Sequence, residues 1–162
     1  MERHGKWDVS ECPVERALSV ITDPTVKVPT VLIVEDEALI RVLIADILQD
    51  RGFKVLEAAN ANEAIEIIEK TNIEIDLVFT DVRMPGGMDG FGLVKWIQSS
   101  RPTIPVIVAS GDIGEANDAN RQQLGDMFLP KPYDLDLATA KIREVIAKRE
   151  CLASVLPEED VP

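Results

Sequence analysis

From Thr30 onward the chain alternates short, unbroken apolar runs with stretches of helical period. Val31-Leu32-Ile33-Val34 is a wholly apolar strand that stops abruptly at Glu35-Asp36-Glu37. Leu39, Leu43 and Ile47 then recur at a spacing of four, with Arg41, Gln49 and Asp50 on the other side. That spacing predicts a helix ending at Arg51-Gly52. Phe53 to Leu56 reads as a second strand. Asn60 or Asn62 suits the cap of a helix over Glu63 to Lys70, with Ala64, Ile65, Ile67 and Ile68 as its buried face. Ile75 to Thr80 is a third strand ending at Asp81, and a Gly-rich loop, Met84-Pro85-Gly86-Gly87-Met88-Asp89-Gly90, leads into a helix through Leu93, Val94 and Ile97. Pro105 to Ala109 is a fourth strand ending at Ser110-Gly111, and Met127-Phe128-Leu129 a short fifth before Lys131-Pro132. Tyr133 to Lys148 forms the last helix, with Leu135, Leu137, Ala138, Ile142, Val145 and Ile146 available for packing. Residues 112–124, rich in Gly, Asp and Asn, predict a short or mobile fourth helix.

The strands are continuous apolar runs rather than in/out alternations, so both of their faces must be covered. That requires an α/β fold with a doubly wound, five-stranded parallel sheet between helical layers. Residues 1–28, punctuated by Pro and Asp, read as an N-terminal extension in which only Val14 to Ile21 has amphipathic character. Residues 29–150 are the domain, and 151–162 a polar tail.

Composition narrows the function classes. The chain of 162 residues carries 17 Lys and Arg against 29 Asp and Glu, a net charge of −12. A nucleic-acid groove or an anionic membrane surface is therefore excluded as the main partner, while cations and basic protein patches fit. Cys12 and Cys151 sit near opposite ends without a metal-ligand spacing, the pattern of two thiols in a reducing compartment. No apolar run is long enough to span a bilayer, and the N-terminus lacks the apolar stretch of a signal peptide, so the expected location is cytoplasmic with no membrane insertion. The single histidine, His4, leaves the core without a histidine base or phosphoryl carrier. Any histidine chemistry must come from a partner.

In an open parallel sheet, ligands bind beyond the carboxyl ends of the strands. Waiting there are Glu35 and Asp36 after the first strand, Asp81 after the third, Ser110 after the fourth and Lys131 after the fifth; the second strand offers only Glu57. Three carboxylates brought together repel unless a cation or proton sits between them, and an all-oxygen set of this kind suits Mg²⁺. Lys131 and the Ser110 hydroxyl lie across the edge, where a phosphoryl group can be held. A carboxylate beside Mg²⁺ with a lysine opposite is a reasonable phosphoryl acceptor.

Thr30 to about Arg149 resembles the receiver domain of two-component response regulators, including the single-domain, chemotaxis-regulator-like ones. The matching pieces are Val34-Glu35-Asp36-Glu37, Asp81-Val82-Arg83-Met84-Pro85, Asp89-Gly90, Val108-Ala109-Ser110-Gly111 and Leu129-Pro130-Lys131-Pro132-Tyr133, in this order and at these strand ends. The resemblance implies a flavodoxin-like sandwich of strand order 2-1-3-4-5. It also implies that Asp81 accepts phosphate from a phosphohistidine. Asp36 and Asp81 would bind Mg²⁺, with Glu35 reaching it through water and the Arg83 backbone carbonyl completing the set. Ser110 would move toward the phosphate, Lys131 would neutralise it, and the Lys131-Pro132 bond would be cis. Phe128 would be the aromatic switch, and Arg83 and Asp112 would flank the path of the attacking water and set the phosphate lifetime. Three departures stand out: an extra residue in the loop at Gly86-Gly87, Phe128 in place of the usual tyrosine, and Ser110 in place of the commoner threonine.

The reading is thus a stand-alone response regulator in phosphorelay signal transduction, with too little chain outside the core for an output domain. It is not an enzyme beyond its own aspartyl phosphorylation and dephosphorylation. The partners implied are a sensor histidine kinase or histidine phosphotransfer protein and a downstream protein, met by residues 112–124, the fifth strand and the last helix. A phosphorylation-dependent dimer is a further option. Two alternatives remain open: a relay intermediate passing phosphate to another histidine protein, and a degenerate receiver acting as a phosphorylation-independent adaptor. A metal-dependent phosphatase is disfavoured, because position 83 is Arg where a D-x-D signature needs an acid.

Overall fold

Every residue of β1 (Thr30–Val34) is buried, and its side chains divide between two cores. Val31 and Ile33 join one hydrophobic cluster, Leu32 and Val34 the other, as the two-residue period of a strand requires. This is why the run carries no polar alternation: both faces of the sheet are covered. The computed structural model describes residues 27–111 and 127–155, with side chains as far as Cys151. The order is β1, α1 (Ala38–Asp50), β2 (Lys54–Ala58), α2 (Ala61–Lys70), β3 (Leu77–Asp81), α3 (Gly90–Ser100), β4 (Val106–Ser110), β5 (Phe128–Pro130) and α4 (Leu135–Val155). All strand pairs are parallel, in the order β2-β1-β3-β4-β5. The expected three-layer fold and strand order are therefore present. Among the described residues no helix is long and apolar enough to cross a membrane.

One face of the sheet is covered by α2 and α3 through Ala64, Ile68, Leu93, Val94 and Ile97, the other by α1 and α4 through Ile44, Ala45, Leu48, Ala138, Ile142 and Ile146. Two helices depart from the sequence expectation. In α1 the predicted apolar side is wrong: Leu39 and Leu43 are exposed, at 82% and 53%, while Ile44, Ala45 and Leu48 are buried. This helix is apolar nearly all round, so Ile40-Ile44-Leu48 is as regular a stripe as Leu39-Leu43-Ile47, and the small Ala45 lets the helix approach the sheet. Arg41, read as a solvent-side residue, is only 18% exposed. The last helix runs to Val155 rather than Lys148, since no Gly or Pro interrupts it before Pro157. The α2 cap is Asn60, which accepts from the Glu63 amide at 3.0 Å while the Glu63 carboxylate accepts from the Ala59 amide at 2.7 Å.

At the amino end of the sheet a second polar cluster ties the flanks of the domain together. Asp76, 3% exposed, accepts from the Thr30 amide at 2.8 Å, from Lys27 at 2.6 Å and from Arg149 at 3.1 Å. Glu74 pairs with the same two cations at 2.9 and 3.2 Å. Asp76→Ala strips a buried amide and two cations of their acceptor at once. It is expected to cost about 2–4 kcal/mol in urea unfolding, against less than about 1 kcal/mol for Lys27→Ala at its half-exposed position. Equal effects would mean the buried carboxylate is not the centre of the cluster.

Residues 1–26, 112–126 and 156–162 lie outside the described residues, and with them His4, Trp7, Cys12, the Val14–Ile21 segment, the helix expected over 112–124 and Asp112.

Candidate functional site

The sheet register brings the expected residues to one edge. Val34 pairs with Thr80 and Asp81 with Ala109, so Glu35 and Asp81 emerge side by side. Ser110 pairs with Pro130, and the Lys131 amide donates to the Ser110 carbonyl at 2.7 Å, which sets Lys131 beside the fourth strand. At the carboxyl ends of β1, β3 and β4 the apolar runs give way to Glu35, Asp81 and Ser110.

One carboxylate oxygen each from Glu35, Asp36 and Asp81 lies within 4.8 Å of the others. Lys131 bridges two of them, with its ammonium 3.3 Å from Asp81 and 3.6 Å from Glu35. The Asp81 carboxylate also accepts the Val82 amide at 2.8 Å. Glu35 is 4% exposed. Burial pushes its carboxyl above the ordinary range, the Glu37 amide and Lys131 pull the other way, and the negative charges of Asp81 and Asp36 push it up further. One lysine for three carboxylates leaves the cluster short of positive charge. Hard oxygen donors, close together and undercompensated, fit a divalent cation such as Mg²⁺.

Lys131-Pro132 is a cis peptide, as the resemblance implied. Ser110 is buried at the end of β4, and Phe128, paired with Val108, is half-buried against the cluster that contains Leu32 and Val34. Arg83 is exposed and, with Asp36, Met84, Pro85 and Phe91, borders an open pocket of about 520 Å³ beside the carboxylates. The structure thus gathers Glu35, Asp36, Asp81 and Lys131 in direct proximity, with Ser110 in the adjacent register position. Reasoning from the strand ends misses one neighbour: burial and then the charges of Glu35 and Asp81 push the Tyr133 hydroxyl up to about 12. Its ring stands edge-on to Phe79, centroids 5.8 Å apart at 83°. Its place directly after Lys131-Pro132 was the available signal.

The loop after Asp81 needs its glycines for different reasons. Gly86 and Gly87 have φ of +113° and +89°, values that side chains with a Cβ rarely adopt. Gly90 instead packs against backbone, donating its amide to the Val82 carbonyl at 2.9 Å.

Comparison with known proteins gives one consistent result. The family profile of the response regulator receiver domain matches residues 31–143. Among curated relatives, the sensor kinase CckA of Brucella abortus is 38% identical over 122 residues, 75% of this chain and 13% of the relative. The DNA-binding transcriptional regulator NtrC of Escherichia coli is 34% identical over 119 residues, 72% of this chain and 24% of the relative. The chain thus spans only a small part of the curated relatives it matches. Among solved structures, a CheY-like response regulator receiver domain protein from Methanospirillum hungatei superposes with a TM-score of 0.70 at 28% identity, covering 78% of this chain and 99% of the other. The receiver domain of the hybrid histidine kinase CckA gives 0.59 at 35% identity, covering 72% and 98%.

Proposed function

The chain belongs to the response regulator receiver domain family, and from that premise we propose that it is a phosphorylation switch whose acceptor is Asp81. The observation that carries the reading is the set of three clustered carboxylates with the Lys131 ammonium 3.3 Å from Asp81. The donor is a phosphohistidine on a sensor kinase or phosphotransfer protein, because the domain core contains no histidine of its own. An Asp81 oxygen attacks phosphorus, the P–N bond breaks, and its electron pair stays on the imidazole nitrogen, which takes up a proton.

The Asp36 and Asp81 carboxylates, Glu35 through water and the Arg83 carbonyl would hold Mg²⁺, which when bound neutralises charge on the phosphoryl oxygens. Lys131 supplies the second positive charge, exchanging its contact with Asp81 for one with the new phosphoryl group. The Ser110 hydroxyl donates to a phosphoryl oxygen, and Phe128 follows it by burying its ring. That rearrangement alters the surface around β5 and α4 and so changes which protein docks there, without a nucleic-acid partner for the domain itself. Arg83 and Asp112 set how long the phosphate lasts. The assembled acceptor site favours this reading over a phosphorylation-independent adaptor.

Incubation with acetyl phosphate tests it by intact mass. A single phosphoryl adduct is expected with Mg²⁺ and is expected to disappear in EDTA. An adduct of equal yield in EDTA would remove the metal from the reading, and no adduct in either buffer would remove the acceptor.

A further inference from the structure

The backbone of Glu35 is held on both sides of its Cα by groups outside the carboxylate cluster. On one side the Glu35 amide donates to the Ala58 carbonyl of β2 at 3.1 Å. On the other the Arg41 guanidinium donates to the Glu35 carbonyl at 2.7 Å. The same guanidinium lies 3.4 Å from the Glu57 carboxylate, on β2 opposite Ile33 of β1. Arg41 therefore ties the first turn of α1 to the end of β2 across the start of the acidic loop.

Asp36 needs such a tie. Lys131 compensates Glu35 and Asp81, but among the described residues no ion pair holds Asp36, which is exposed. Two neighbouring carboxylates push it outward, and its direction depends on the peptide that precedes it. Fixing the Glu35 carbonyl fixes the plane of the Glu35–Asp36 peptide and with it the line along which Asp36 leaves the backbone.

We propose that Arg41, braced by Glu57, is a positioning residue that aims Asp36 at the cation site. The inference rests on the Mg²⁺ reading above and adds a residue to it. Its sign separates it from simple electrostatics. Removing a cation near a dication site should tighten Mg²⁺ binding, whereas removing a brace that aims a ligand should weaken it.

The test is calorimetric titration of the full chain with Mg²⁺, for wild type, Arg41→Ala, Arg41→Lys, Glu57→Gln and the double variant Arg41→Ala/Glu57→Gln. Arg41→Ala is expected to weaken binding about tenfold, the scale seen when a partner behind a metal ligand is lost. Arg41→Lys, which keeps the charge without the planar fork, should recover only part of that. Because Glu57 acts through Arg41, the double variant should bind no more weakly than Arg41→Ala alone. Unchanged or tighter binding by Arg41→Ala overturns the proposal. A metal-free measurement separates it from the reading it rests on: hydrogen exchange at the Glu35 amide, which donates to the Ala58 carbonyl, should quicken in Arg41→Ala while amides within β1 stay protected. If wild type binds no Mg²⁺, the cation reading falls, and the exchange result alone decides whether Arg41 holds the loop.

Discussion

Asp81→Asn is expected to take up no phosphoryl group from acetyl phosphate while keeping the fold of the wild type. Asparagine has the shape of aspartate, and its carbonyl oxygen can still accept the Val82 amide that now bonds Asp81 at 2.8 Å. What disappears is the anionic nucleophile, and an amide oxygen does not attack phosphorus at neutral pH. The substitution also removes one of three crowded negative charges and leaves Lys131 its contact with Glu35 at 3.6 Å. Stability should therefore stay within about 1 kcal/mol of wild type, since lost attraction to Lys131 and relieved repulsion from Glu35 and Asp36 oppose each other. Intact mass reads the labelling, and thermal unfolding on the same sample shows that the protein is folded. An adduct that persists in a folded Asp81→Asn protein would place the phosphate on another side chain and overturn the assignment.

The strand-end residues were legible because a parallel sheet leaves little choice: the apolar run ends, the chain turns, and a polar side chain stands at the same edge each time. Glu35, Asp36, Asp81, Ser110 and Lys131 were placed by that logic alone. The face of α1 was not legible. Ala38 to Asp50 carries apolar residues on every side, and only packing against β1 and α4 decides that Ile44 and Leu48 go in while Leu39 and Leu43 stay out. The same ambiguity hid Arg41. On a helical projection it sits opposite the wrong stripe, and its partner Glu57 comes from a different strand, which no local period can pair with it. The end of the last helix was missed for a simpler reason, as periodicity weakens beyond Lys148 although nothing in the sequence breaks the helix there.

Gly90→Ala is expected to cost far more than an exchange of one hydrogen for a methyl suggests. A Cβ built on Gly90 would lie 2.2 Å from the Asp81 carbonyl oxygen, 2.9 Å from the Val82 Cα and 3.0 Å from the Asp81 carbonyl carbon. These are backbone atoms and cannot swing aside, so either α3 retreats by about 1 Å or more, or the acceptor's own peptide is displaced. Retreat loosens Leu93, Val94 and Ile97, all within the core, while displacement breaks the Val82 amide contact that orients the Asp81 carboxylate. Overpacking of this kind costs about 2–4 kcal/mol, only slightly offset by the better helix propensity of alanine. At this chain length that corresponds to a melting temperature lower by roughly 5–15 °C. Labelling by acetyl phosphate should fall as well when measured at a temperature where the variant remains folded. Gly92→Ala is the control, because the nearest atom to its Cβ is the flexible Met88 side chain at 2.8 Å, which can move. It should change melting by only a few degrees and leave labelling intact. Equal effects from the two substitutions would mean that the start of α3 does not bear on the Asp81 peptide, and that the acceptor is held in place by its strand alone.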